Sequence, residues 1–345
     1  MKKVIRCMGM VVLLALAFTS CKKQEQQTSF RATVADFITE EGEDRAYIDD
    51  AGKIHFEVGD RLMIFNISVD SAEMSHCATY KCIDDGNIVE FVNSGMGTVG
   101  VALDGGYYAY YPSTLVAEDP NTGFGGFVSD RVETELEFGE NKSKFFVAPE
   151  QTYRTDVNGK PIISRKDFYL AGHLTHDEAP NLAVANFVMK SICGIWKMQP
   201  YDAAQRSVRK IEIESPHHLT GWVEVIIPEI DDVEMLDLFN RYAANPTGVA
   251  GELAAYLQRI GYNVTEGGNK VTLNMPEAGV QLGATKATTP TIPVILRPLA
   301  LTYGATVKFT FTNGETATKV IAPNTVLIKP NFQMKNGINL SGIVD

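Results

Sequence analysis

Apolar and polar residues alternate with a period of two over short runs along most of the chain. Val307, Phe309 and Phe311 alternate with Lys308, Thr310 and Thr312, and Asn313-Gly314 then leads into Thr316-Ala317-Thr318-Lys319-Val320-Ile321. Asn-Gly between two such runs is a strong hairpin signal, because the tight turn needs positive φ at both central residues. Similar runs recur at Ile54 to Val58, Arg61 to Ile67, Ile88 to Val92, Tyr107 to Tyr111, Lys144 to Val147, Ile192 to Met198, Lys210 to Glu214 and Trp222 to Ile227. Ser29 to Ile38 reads as a first strand with Phe30, Ala32 and Val34 on one side. Many short strands separated by Gly, Pro, Asn and Asp predict an all-β chain of antiparallel β-sandwiches.

One region departs from this period. From Asp231 to Tyr262 the apolar residues fall at helical spacing, with Val233, Leu236 and Phe239 on one face, then Val249, Leu253, Leu257 and Ile260 on another. Asn245-Pro246-Thr247-Gly248 separates the two stretches, so a helical hairpin is inserted among the strands. Its simplest role is to cover a sheet face or edge.

The N-terminus sets the compartment. Lys2, Lys3 and Arg6 precede an apolar run from Met8 to Phe18 that is too short to span a bilayer, which is a secretion signal. It ends in Leu16-Ala17-Phe18-Thr19-Ser20-Cys21, small residues leading into a cysteine, as in a bacterial lipoprotein signal cut between Ser20 and Cys21. Residues 1–20 are then the signal, Cys21 carries the lipid, and residues 21–28, with Lys22-Lys23-Gln24-Glu25-Gln26-Gln27, form a polar tether. The chain is expected at the outer membrane and cell surface, held by its N-terminal lipid. About 320 residues remain, a length that predicts two domains. A soft boundary at Asp177-Glu178-Ala179-Pro180-Asn181 divides 29–180 from 181–345.

The formal charge of −11, with scattered basic residues, argues against nucleic acid as a partner. Of five cysteines, Cys7 leaves with the signal and Cys21 takes lipid, so Cys77, Cys82 and Cys193 remain and are read as buried thiols, Cys193 in mid-strand. Gly95-Met96-Gly97-Thr98-Val99-Gly100 fits G-x-G-x-x-G, but no helix opens after it to face a pyrophosphate, so it is read as a glycine-rich loop. His173, His176, His217 and His218 fall in predicted loops and read as solvated turn residues, with no rigid set of zinc ligands. Asp156-Val157-Asn158-Gly159-Lys160-Pro161 has two calcium-type oxygens without the later ligands, and is a turn. Gly106-Tyr107-Tyr108-Ala109-Tyr110-Tyr111-Pro112 places aromatics on both faces of one strand, which reads as core before it reads as a ligand platform. No catalytic constellation, metal or cofactor is expected.

Taken in order, several of these stretches resemble the fimbrillin family. They are the lipidated start, Tyr47-Ile48-Asp49-Asp50-Ala51-Gly52-Lys53-Ile54-His55-Phe56-Glu57-Val58-Gly59-Asp60-Arg61-Leu62, the strand ending Tyr110-Tyr111-Pro112, and Phe187 through Cys193-Gly194-Ile195-Trp196-Lys197. Val208-Arg209-Lys210-Ile211-Glu212-Ile213, Leu219-Thr220-Gly221 and the segment from Gly304 to Ile328 are similar to that family's second half. The helical hairpin departs from the pattern. The resemblance implies a non-enzymatic subunit of type V pili, or a related surface lipoprotein, built of two transthyretin-like β-sandwiches. It implies that a surface protease cuts after an arginine, and that other pilus subunits fill the vacated seat by β-strand addition.

Arg45 is the arginine best placed for that cut. It stands among Glu40, Glu41, Glu43 and Asp44 in the connection between the first strand and the next, where polar loops are accessible to proteases, and cutting there starts the chain at Ala46. Arg31 is the lesser candidate, since a cut there falls inside the first strand. At the other end Phe332 and Met334 alternate with polar neighbours, and Ile338 and Leu340 resume the pattern, so the tail supplies a strand either to its own domain or to a neighbour. Two other classes stay open: a surface lipoprotein that binds a glycan, a host protein or another bacterial surface ligand without polymerising, and a secreted hydrolase.

Overall fold

A computed structural model describes residues 29–34, 38–39, 56, 60–66, 76–84, 86, 88–99, 106–111, 132–137, 140–155, 161–162, 169–175, 177–226, 232–260, 267–298, 301, 303–326, 328 and 332–345. The described strands begin with β1 (Ser29–Val34), β2 (Ile38–Thr39), β3 (Arg61–Asn66), β4 (His76–Cys82), β5 (Ile88–Val99) and β6 (Tyr107–Tyr111). β7 (Val132–Glu137), β8 (Glu140–Val147), β9 (Glu150–Thr152), β10 (Arg154–Thr155) and β11 (Pro161–Ile162) follow. Then come β12 (Leu170–Leu174), β13 (Asn186–Ser191), β14 (Gly194–Tyr201), β15 (Ser207–Glu214) and β16 (Gly221–Ile226). Helices Asp232–Ala244 and Pro246–Arg259 interrupt the series before β17 (Lys270–Asn274), β18 (Val280–Gln281), β19 (Ile292–Leu296), β20 (Ala305–Phe311), β21 (Thr316–Ile321) and β22 (Phe332–Asn339). The fold is all-β with one helical insertion.

In the first half the strands close on themselves in the order β1-β13-β12-β6-β3-β4-β5. The interior is aromatic, with Phe30, Phe56, Tyr80, Phe91, Tyr107 and Phe187 all buried. Every residue of β6 is buried, as the tyrosine-rich pattern predicts. Tyr111 meets Phe56 on the inside at 5.6 Å, while Tyr110 on the other face meets Phe145 of β8 at 6.1 Å. The three-stranded sheet β16-β8-β7 thus helps to cover that face. Gly106, at φ +76°, opens β6 where a Cβ would stand 1.9 Å from the Leu174 carbonyl oxygen, so no other residue fits.

The second half is a sandwich. A four-stranded sheet, β19-β14-β22-β2, faces a six-stranded one, β21-β20-β15-β17-β9 with β18 also paired to β15, and the space between is filled by Trp196, Met198, Val294, Ile338, Ile211, Leu273 and Phe309. The Asn313-Gly314 turn joins β20 to β21, with Thr310 opposite Thr316 and Gly314 at φ +88°. Most pairs are antiparallel, but β1 with β13, β14 with β22, β17 with β9 and β2 with β22 are parallel. Hairpin patterning cannot signal these, because parallel neighbours come from distant parts of the chain.

Several local expectations are corrected. The first strand is divided into β1 and β2. The Gly95–Gly100 stretch is no loop, since residues through Val99 continue β5 and Gly97 pairs with Ala78. The register shifts between Thr79 and Tyr80, and Ser94 Oγ donates to the Thr79 carbonyl at 2.7 Å, so a bulge absorbs the extra residues. Cys193 is not in mid-strand. It lies in the bend from β13 to β14, where the chain leaves the closed barrel for the sandwich. The helical face is also rotated: Met235, Leu238, Phe239, Val249, Leu253, Tyr256 and Ile260 form the hairpin's own apolar cluster, whereas Val233 is 80% exposed and Leu236 packs on the sandwich core. Asn245 ends the first helix and caps the second, its Oδ1 accepting from Gly248 N–H at 3.1 Å, with Pro246 in the first turn where its missing N–H costs nothing.

Candidate assembly interface: the seat of the first strand

β1 closes the barrel between two strands that its absence would leave as open edges. It runs antiparallel to β5, with Phe30 opposite Phe91 and Ala32 opposite Val89, and parallel to β13, with Arg31 opposite Asn186 and Ala32 opposite Phe187. Its alternation sorts the side chains. Phe30 and Ala32 are 2% and 0% exposed, while Arg31 faces solvent and its N–H donates to the Ala185 carbonyl at 3.2 Å. The Phe30 ring sits 4.8 Å from Tyr80, 5.6 Å from Phe91 and 5.4 Å from Phe187, and so plugs the aromatic interior.

The same segment continues into the second half. In β2, Ile38 pairs with Phe332 and Thr39 with Gln333, in parallel, at the outer edge of β22. Residues 29–39 therefore add a strand to each of two separate sheets. Without them three strand edges, on β5, β13 and β22, would present rows of N–H and C=O groups with no partner, and the barrel would lose its Phe30 plug. An extended segment with an aromatic residue at the Phe30 position satisfies the same groups.

Of the residues singled out in the sequence, Arg31 lies within β1, in the paired ladder. Ser20, Cys21, Arg45 and Ala46 lie outside the described residues. Two of the histidines depart from the solvated-turn reading: His173 is in β12 with its ring 4.4 Å from Tyr108, and half-buried His217 meets Tyr303 at 3.9 Å, whereas His218 is exposed in a loop as expected. Burial, with the Arg297 and His218 charges, holds the His217 pKa below its ordinary value and so favours the neutral ring. His176 lies outside the described residues. Cys82 and Cys193 are buried, and burial pushes the Cys193 thiol up to about 12, far from the thiolate a nucleophile needs. Among the described residues no group of three or more His, Cys, Asp or Glu could hold a metal ion.

Sequence reasoning passed over three features. One is the pairing of β2 with β22, since two residues make too short a run to read. The others are the contacts of Gln151 with β19 and of Arg206 with the C-terminal tail, which join residues 144 and 134 positions apart and leave no local pattern.

No family model matches the sequence, and no curated protein is similar to it. Solved structures are similar in fold. A candidate cell adhesion protein from Bacteroides uniformis superposes with a TM-score of 0.50 at 11% identity, over 93% of this chain and 96% of that one. A candidate cell adhesion protein from Bacteroides ovatus gives 0.49 at 13% identity, over 93% and 94%. A fimbrial assembly protein from Parabacteroides distasonis gives 0.38 at 8% identity, over 90% of each chain. The chain has the fold of the Bacteroides uniformis protein along nearly its whole length.

Proposed function

We propose that this chain is a structural or adhesive subunit of a cell-surface pilus. It is exported with a lipid on Cys21, cut after Arg45 by an arginine-specific protease, and joined to its neighbour by a strand donated into the seat of residues 29–39. The observation that carries this reading is the position of β1, which closes the barrel with Phe30 and Ala32 buried and two backbone ladders made. The names of the Bacteroides uniformis and Parabacteroides distasonis proteins, which refer to cell adhesion and fimbrial assembly, agree with it. A donated strand supplies backbone partners along its length and side chains to alternate pockets, a tight contact that needs no catalysis.

The test is to treat the purified full chain with an arginine-specific protease and follow the N-terminal sequence and particle size together. A product beginning at Ala46 that forms polymers is expected, while Arg45→Ala stays monomeric and keeps its lipid. Normal assembly of Arg45→Ala would reduce this arginine to a loop charge and remove the cut from the mechanism.

A further inference from the structure

We infer that the four-stranded sheet of the sandwich accepts an added strand at one edge only, and that Gln151 is the residue that closes the other. This rests on strand addition as the mode of assembly proposed above, and it says which of the two edges a neighbour's strand takes.

The sheet order β19-β14-β22-β2 leaves two outer edges. On the β2 side, residues 38–39 cover β22 only at Phe332 and Gln333, so departure of the N-terminal segment bares a strand edge. The β19 edge is closed group by group. With β14 on one side of β19, the backbone groups of alternate residues point outward, and these are 293, 295 and 297. Position 293 is a proline and has no N–H to offer. At 295 the Gln151 side chain takes the place of a peptide group: its Nε2 donates to the Ile295 carbonyl at 2.7 Å, and its Oε1 accepts the Ile295 N–H at 3.0 Å. Nε2 also lies 3.3 Å from the Ala148 carbonyl, and the side chain is 94% buried by its 6% exposure. At 297 the N–H donates to the Leu219 carbonyl at 3.3 Å. β11 lies against the same strand and begins with a second proline, Pro161.

A primary amide on a side chain has one acceptor and two donor hydrogens, so Gln can imitate a strand residue without extending into a strand that would itself need a partner. A charged side chain also discourages edge pairing, but at a buried edge it would carry a desolvation cost that an amide avoids. The two ends of the sheet therefore differ in kind. One is covered by a segment that can leave, and the other is closed by side chains and prolines that cannot.

The experiment uses the intact, uncut chain, so it does not depend on cleavage at Arg45. Gln151→Met removes both contacts with Ile295, and the one with Ala148, at similar volume, and it should raise the fraction of dimer and larger species several-fold in size-exclusion chromatography with light scattering. Amide exchange should become fast at Ile295 in the variant monomer and slow again in the oligomer. Val307→Ala, chosen for a comparable loss of thermal stability in the same sandwich, should stay monomeric and so separates edge opening from partial unfolding. Should Gln151→Met not fold, Pro293→Thr asks the same question at a half-buried position by restoring an outward N–H, with a smaller rise in oligomer expected. Monomeric behaviour of the folded variant at every concentration, despite fast exchange at Ile295, would overturn the inference. Failure of the cut chain to polymerise would count against strand donation alone.

Discussion

The barrel and the sandwich are each completed by one end of the chain, and the two ends are held by different kinds of force. β1 is held by two backbone ladders and by Phe30 and Ala32 on its inner face. Any extended segment with a similar pattern offers the same contacts. β22 has a backbone ladder to β14 as well, but the residues after it are also held by side-chain contacts that only this chain supplies. The Arg206 guanidinium lies 4.0 Å from the Phe311 ring centre, pairs with Asp202 at 2.6 Å, and donates to the carbonyls of Leu340 at 3.2 Å and Ile343 at 3.1 Å. Asp345 accepts from the Thr318 N–H at 3.1 Å and hydroxyl at 2.5 Å, and its own N–H donates to the Thr316 carbonyl at 3.0 Å. Replaceable contacts suit a strand that is to be exchanged, and specific ones suit a strand that is to stay.

The strongest way to break this contrast is to remove the tail. β22 lies between β14 and β2, and it contributes Ile338, and the residue after the strand Leu340, to the sandwich core. Losing two buried aliphatic side chains costs about 2–5 kcal/mol each, before the strand's backbone bonds are counted, against a typical domain stability of about 5–15 kcal/mol. Deleting residues 331–345 should therefore unfold the sandwich, seen as loss of its cooperative thermal transition and as exposure of Trp196 to solvent in fluorescence. A truncated chain that melts as the intact one does, but no longer assembles, would show that the tail is donated and not kept.

What could be read in advance is what is local. The all-β class, the Asn313-Gly314 hairpin, the core role of Tyr107 to Tyr111 and the helical hairpin each follow from a pattern a few residues long. The phase of the first helix was harder, because Val233, Leu236 and Phe239 keep helical spacing just as Met235, Leu238, Phe239 and Tyr242 do. Only packing against the second helix distinguishes the two faces. Gly95 to Val99 resembles a loop by composition and is held in β5 by pairing with β4. His217 looks like a turn residue and is half-buried because Tyr303, far along the chain, lies over it. The division of the first segment into β1 and β2, on two different sheets, depends on β5, β13 and β22, all of them distant in the chain.

A smaller effect sharpens the comparison at the N-terminal end. Phe30→Ala empties the centre of the aromatic cluster and should destabilise the intact chain by about 3–5 kcal/mol, the usual cost of truncating a buried phenylalanine. Denaturant unfolding measures it. If residues 29–39 leave on processing, the same substitution should have no effect on a chain that begins at Ala46, since the altered residue is gone. A substitution that weakens intact and processed chains alike would mean that β1 stays in its seat after cleavage.

The smallest effect concerns the tail clamp and its response to acid. The Asp202 side chain is 1% exposed. Burial pushes its pKa up, but the Arg206 guanidinium and the N–H groups of Ala204 and Arg206 outweigh that and hold it below the ordinary value. For a carboxyl whose folded pKa is depressed, the stabilisation is fully present above the unfolded pKa, about 3.9 for aspartate, and is lost as the pH falls through the lower folded value. Asp202→Asn keeps the size of the side chain and removes its charge. It should cost about 1.5–3 kcal/mol at neutral pH, the range for a hydrogen bond to a charged group. Below pH ~4 the intact chain should lose stability more steeply than the variant, so that the two curves converge in acid. Thermal unfolding from pH 7 down to strong acid measures both terms. Curves that stay parallel would mean that Asp202 acts through packing, and that the tail is held by the Arg206 contacts with Leu340 and Ile343 without help from the carboxylate.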